Sequence, residues 1–324
     1  MAGEAFAKEV SEMVDGSARI SQDPEPRKNN RVHPVLKLLY KKRWAYYFIA
    51  PATILFCIFT VIPVIRSFIL AFQEFRLMGN VWVGLENFKY VLTDPVFHRA
   101  MRNTAFYTVV MVPQGVLKAL ILASILRNLP EAVQTFFRGA YYLPGVASAV
   151  VISMVWKWIY DPNFGLFNFI LGTFGFGPYP WLTSPKTSLT SIMLMGILTA
   201  PGYYIILYLA AMKKIPRELY EVADIDGATP FAKWWNVTLP LLKPTTLYIT
   251  ITSIIGSFQI FTSAYVMTQG GPGYSTMTVV YLIYNTAFRD FEFGLASAQA
   301  IVLAAIIVFI SVYNFRVFST DVQY

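Results

Sequence analysis

Ile301-Val302-Leu303-Ala304-Ala305-Ile306-Ile307-Val308-Phe309-Ile310 contains no polar side chain. A helix lying on a water-soluble core needs a polar face, because one of its sides meets water. Val146 to Ile159 is nearly as uniform, with only Ser148, Ser153 and Lys157 among its apolar residues. Such runs fit a hydrocarbon surrounding, and a bilayer core about 30 Å thick needs about 20 such residues in helical form. Working outward from these two stretches, six candidate spans emerge. They run over residues 45–71, 104–126, 139–160, 189–212, 245–267 and 296–315. The fourth is interrupted by Pro201 and Gly202, and the fifth is rich in Ser and Thr. The expected fold class is therefore an all-α integral membrane protein with about six transmembrane helices.

Composition agrees. The 324 residues are 56% hydrophobic and only 14% charged, where soluble domains carry about a quarter. The net charge of +8 could suggest nucleic acid, but the charges gather at the ends of apolar runs. That placement fits lipid headgroups and membrane orientation, and no nucleic-acid partner is expected. Alternate inter-span segments carry 17 Lys and Arg on one side and 6 on the other. The positive-inside rule then puts both termini in the cytoplasm. Residues 1–33 are polar and read as a flexible cytoplasmic tail preceding a polytopic transmembrane domain over residues 34–324. Lys118 is the deepest charge, placed either to snorkel or to face a protein interior.

Enzyme chemistry finds little support. The chain has no Gly-x-x-x-x-Gly-Lys-Ser/Thr nucleotide loop. His33 and His98 stand far apart without metal-ligand spacing. Cys57 is the single cysteine and lies in an apolar run. No cofactor or metal is expected on this chain.

The segment 213–244 is longer than a connection requires. Pro216 and Glu218 suit a helix start, and Leu219, Val222 and Ala223 recur at helical spacing on one apolar side. Gly227 can end that helix in a left-handed conformation. Thr229-Pro230 reads as an N-cap followed by proline at the first position of a second short helix. Pro240 and Pro244 bracket the start of the fifth span. The result is a rigid helix–turn–helix at the membrane face.

Glu221-Val222-Ala223-Asp224-Ile225-Asp226-Gly227-Ala228, followed by Val237-Thr238-Leu239-Pro240, resembles the EAA loop of permease subunits in binding-protein-dependent ABC importers. It departs from that pattern at Val222, where alanine is usual, and at Val237, where isoleucine is usual. Val83-Gly84-Leu85-Glu86-Asn87-Phe88, Asn103-Thr104, Phe137-Arg138, Tyr142-Leu143-Pro144, Gly165-Leu166-Phe167-Asn168 and Thr268-Gln269-Gly270-Gly271-Pro272 extend the resemblance toward the maltose and glycerol-phosphate branch of sugar permeases.

The resemblance implies a permease subunit of the bacterial or archaeal cytoplasmic membrane, moving a sugar inward by alternating access. It implies a second homologous permease, two ATP-binding subunits carrying ATP and Mg, and an extracytoplasmic solute-binding protein. Glu218, Glu221, Ala223, Asp226, Gly227, Ala228, Leu239 and Pro240 would form the coupling loop. Thr199, Tyr203, Ser257, Phe258 and Gln259 are the candidate solute-lining residues. Hydroxyls and an amide suit a sugar that must be desolvated, and Phe258 could stack on its apolar face. The rival readings are an ion-coupled secondary transporter, for which Lys118 would be the intramembrane charge, and a polytopic membrane-embedded enzyme.

Overall fold

The computed structural model describes residues 43–74 and 79–318; the expected tail over 1–33 lies outside them. The described chain is helical apart from one antiparallel pairing of β1 (Gln73–Glu74) with β2 (Val81–Trp82), in which Gln73 faces Trp82. It divides into two compact units at Val61/Ile62.

The described part of the first unit is α1 (Arg43–Phe56) running into a π turn at Cys57–Val61. Phe48, Phe59 and most neighbouring apolar side chains are exposed. In water such a surface would be unstable. In hydrocarbon it is what a span presents. The apolar helical run Trp44–Leu70 is 27 residues with mean hydropathy 2.5.

The second unit begins with α2 (Ile62–Leu70), followed by the β pairing and α3 (Glu86–Thr93). Its centre is α4 (Pro95–Arg127), 33 residues long. Asp94 caps its start by accepting from the amides of Val96 at 2.9 Å and Phe97 at 3.1 Å, and Pro95 fills the first position, where no amide partner is needed. Ala100, Ala119 and Ala123 on α4 are fully buried. Small side chains let helix backbones approach where the hydrophobic effect gives no drive between helices.

The remaining membrane helices are broken. α5 (Glu131–Val146) and α6 (Ala149–Ile159) meet at 92°. The candidate span over 139–160 therefore falls on a bent pair of helices. Ala147 turns extended, and the Ser148 hydroxyl accepts from the Val150 amide at 3.3 Å, starting a new helix. After α7 (Leu166–Thr173), α8 (Ser188–Leu198) and α9 (Gly202–Lys213) form the interrupted fourth span, bent by 41°.

Then come α10 (Glu218–Ile225), α11 (Pro230–Lys233), a π turn over Trp234–Thr238 and α12 (Leu239–Leu241). α13 (Lys243–Phe258) spans only 16 residues and stops at Gln259, inside the candidate span over 245–267. Thr252 and Ser257 hydroxyls donate back to their own helix at the carbonyls of Tyr248 and Ile254, a habit that weakens regular helix. The chain resumes in a π turn at Ala264–Thr268. α14 (Val279–Phe288) and α15 (Phe293–Phe318) close the described unit, and α15 packs on α2, α3, α13 and α14.

Among the described residues, three helices are long and apolar enough to cross a membrane, and five spans result if each bent pair is one. The protein is an all-α, multi-pass membrane protein.

α9 packs closely on α5 through Gly202, where a Cβ would strike the Tyr141 carbonyl, 2.6 Å from its carbon. Both sides of that contact are backbone, so neither can swing away. Gly202→Ala is expected to lower the thermal midpoint of the purified protein through about 1–3 kcal/mol of overpacking. An unchanged melting curve in detergent would remove this contact as a constraint.

Candidate functional site

Two regions carry functional character, a hairpin at one end of α4 and a cavity along its middle.

The hairpin's first helix, α10, ends as its sequence suggests. Gly227 has φ +72°. Its amide donates to the Asp224 carbonyl at 3.0 Å, and the Ala228 amide reaches the Ala223 carbonyl at 2.9 Å. This pair of bonds is the Schellman closure, which satisfies carbonyls the helix end leaves open. Thr229 then caps α11, its hydroxyl accepting from the Ala232 amide at 3.3 Å. An ion pair from Lys233 to Asp224 ties the two helices together.

The hairpin is clamped to the C-terminal end of α4. The Arg127 guanidinium donates to the Tyr220 hydroxyl at 2.7 Å and lies 4.5 Å from its ring centre. That hydroxyl also bonds the Thr238 hydroxyl at 2.8 Å. The Trp234 indole N–H donates to Ser124 Oγ at 2.9 Å. These groups surround a small polar cleft.

The clamp chooses which side of α10 faces in. Tyr220 and Ala223 are half-buried, whereas Leu219, Val222 and Ile225 are exposed, Ile225 by 86%. Of Leu219, Val222 and Ala223, which helical spacing groups on one apolar side, only Ala223 is turned partly inward. A cation lying on an aromatic ring and bonded to its hydroxyl outweighs two aliphatic contacts. Glu218, Glu221, Asp226 and Gly227 are exposed, with Glu221 paired to Arg217 at 3.3 Å. Ala228, Leu239 and Pro240 are half-buried, and Leu239 packs against the core. Sequence reasoning missed Arg127, Tyr220, Trp234 and Thr238. Their only signal was an arginine closing an apolar run opposite an aromatic in the next loop.

The cavity has a volume of about 490 Å³ and is walled by α4, the α8/α9 break and the end of α13. That size lies within the usual range for small-molecule sites. Thr199, Ser257 and Gln259 line it together, as do Tyr107, Gln114, Tyr204, Ser253, Thr262 and Ser263. Among the described residues, none that lines it is charged. The Thr199 hydroxyl donates to the Met195 carbonyl at 2.9 Å and Ser257 to Ile254 at 3.0 Å. Each therefore turns acceptor capacity, not a free proton, toward the space. Tyr203 is 52% exposed and outside this lining, and Phe258 is only 4% exposed and packed in the core. The structure therefore brings together three of the five expected residues.

At the end of α4 opposite the hairpin, the loops are ordered. Asn103 Nδ2 donates to the Tyr274 and Met277 carbonyls, both at 2.9 Å, and the Thr104 hydroxyl accepts from the Val279 amide at 3.1 Å. Asp161 accepts from the amides of Asn163 and Phe164 at 2.8 and 2.9 Å. Those two amides hold its carboxyl below the usual carboxylate range.

Residues 99–320 match the family described as the binding-protein-dependent transport system inner membrane component. The chain belongs to that family. It resembles the arabinooligosaccharides transport system permease protein AraP of Bacillus subtilis, at 34% identity over 90% of this chain and 97% of that one. It also resembles the lactose transport system permease protein LacF of Rhizobium radiobacter, at 36% identity over 84% and 93%. A solved bacterial ABC transporter involved in import of the acidic polysaccharide alginate has the same fold, with TM-score 0.80 and 22% identity over 89% of this chain and 99% of that chain. The binding-protein-dependent family is one of transport proteins, so the chain is a permease subunit and not an enzyme.

Tyr220→Phe keeps the ring over Arg127 and removes both hydroxyl bonds. Losing them should cost roughly 1–3 kcal/mol and loosen the hairpin. Limited proteolysis between Lys213 and Lys243 is the measurement, with faster cleavage expected in the variant. Equal cleavage rates would assign the anchoring to Trp234 instead.

Proposed function

We propose that this permease imports a sugar or sugar derivative, an oligosaccharide, disaccharide or glycerol-phosphate-like solute, as in the maltose and glycerol-phosphate type of carbohydrate permease. The observation that carries the reading is the uncharged, hydroxyl- and amide-lined cavity at the break between α8 and α9. The relatives named for arabinooligosaccharides and lactose support it. Among the described residues the Gln259 side chain has no hydrogen-bond partner, so its donor and acceptor are both open to a solute hydroxyl.

The full assembly on this reading has a second homologous permease, two cytoplasmic subunits that bind ATP and Mg and supply the drive, and an extracytoplasmic solute-binding protein. Six spans result when α13 and the π turn after Gln259 are taken as one discontinuous crossing. Both termini then face the cytoplasm of a bacterial or archaeal cell, residues 1–33 form a cytoplasmic tail, and 34–324 form the permease domain.

The hairpin is the coupling element. Leu219, Val222 and Ile225 offer an apolar surface, and Glu218, Glu221 and Asp226 a polar rim, to a cytoplasmic partner. Motion of that partner passes through Tyr220 and Arg127 to α4, and α4 forms one wall of the cavity. Alternating access follows if α4, with the α8/α9 break beside it, moves against the end of α13 across the cavity.

Two substitutions test the two halves separately. Gln259→Ala should raise the half-saturating sugar concentration about tenfold, as for loss of a hydrogen bond to a desolvated solute. Unchanged uptake kinetics would remove Gln259 from the solute site. Gly227→Leu has room for its Cβ, so its effect is the left-handed backbone strain of about 1–2 kcal/mol. We expect normal membrane insertion with reduced solute-stimulated ATPase activity of the assembled complex; full stimulation would sink the coupling role.

A further inference from the structure

Pro201 has no amide hydrogen, so it cannot donate to the Ile197 carbonyl as residue 201 of a continuous helix would. The Thr199 carbonyl is also stranded, because the following amides bond elsewhere. Gly202 donates to Ala200, and both Tyr204 and Ile205 donate to Pro201. Two bare carbonyls in the middle of a membrane span are costly. Lys118 answers both. Its Nζ donates to the Ile197 carbonyl and, at 2.7 Å, to the Thr199 carbonyl. The lysine lies on α4, one turn beyond Gln114 and Gly115, and those two residues and Thr199 all line the cavity. The ammonium also meets the negative end of α8, where a cation is favoured. The side chain is half-buried and turned onto these two carbonyls.

A charged side chain is an expensive way to satisfy carbonyls that water or a hydroxyl could serve, and intramembrane charges are rare without a role. We propose that Lys118 is a positioning residue of the permeation path: it ties the break in the fourth span to α4 and so fixes the Thr199 wall of the cavity. The role in permeation rests on the permease reading, while the tie itself is a property of this chain.

The test measures the bend directly. Cys57 is the single cysteine of this chain, so Cys57→Ala, with any cysteines of the partner subunits also replaced, gives a clean background. Thr190→Cys on α8 and Lys213→Cys on α9, both exposed positions, carry spin labels in the full chain, purified with its co-expressed partner subunits and placed in lipid nanodiscs. With Lys118 intact we expect one narrow inter-label distance. Lys118→Met should lose that single peak and give a broad distribution, and Lys118→Arg, which keeps charge and donors, should restore it. If the methionine variant does not assemble, Lys118→Gln is read in its place, with broadening expected. An unchanged peak in the Met or Gln variant overturns the proposal, as does equal broadening with arginine. Co-purification of an ATP-binding subunit is scored on the same sample. Its absence counts against the permease reading without altering what the distances say of Lys118.

Discussion

A bilayer offers no water to a peptide carbonyl, and this requirement shapes most of the molecule. Where α15 runs unbroken, the helix satisfies itself, and α4 does so apart from Pro113, which has no amide to offer the Val109 carbonyl. Where the chain breaks, a named side chain or turn takes over. Ser148 receives the amide that starts α6, and Lys118 serves the carbonyls stranded before Pro201. Thr278 donates to the Ile260 carbonyl just past the end of α13. Each of these breaks is thus held by a specific donor or acceptor.

The same accounting explains the hairpin. Its helix end closes on itself through Gly227 and Ala228, so α10 needs no outside partner for its carbonyls. What it needs is a fixed orientation. Tyr220 supplies that by placing its hydroxyl between Arg127 and Thr238. With Tyr220 committed inward, helical spacing forces Leu219, Val222 and Ile225 outward. The exposed apolar surface is thus a consequence of one aromatic–guanidinium contact.

Much of this was legible in sequence because it depends on local chemistry. Apolar runs disclosed the straight helices. Pro201-Gly202 disclosed the break in the fourth span, and Gly227 with Thr229-Pro230 disclosed the turn and cap. What was not legible depends on partners distant in the chain. The right angle at Ala147–Ser148 falls just past Pro144-Gly145, which the chain runs through as helix, and the serine that starts the next helix is of a type that occurs in uninterrupted spans too. The stop at Gln259 is set by hydroxyls bonding back within α13 and by Thr278 across the fold. The inward turn of Tyr220 needs Arg127, which lies 93 residues away. Phe258 looked available because its neighbours are polar, but helical rotation sends it to the core while Ser257 and Gln259 meet the cavity.

The cavity and the breaks coincide for a physical reason. A continuous helix spends its amides and carbonyls on itself and presents only side chains, so it can wall a path but cannot easily change shape. Interrupting α8/α9 and α13 at similar depth along α4 gives two places where the wall bends without breaking ladder hydrogen bonds elsewhere. It also opens space for hydroxyls and amides that would be costly on a lipid-facing surface. A path for a polar solute needs both properties at one level, and α4 supplies the common support. Its middle carries Gln114, Gly115 and Lys118, and its end carries Arg127 beneath the hairpin. On the proposed coupling, a push on the hairpin and a change at the cavity are movements at the end and the middle of one 33-residue rod.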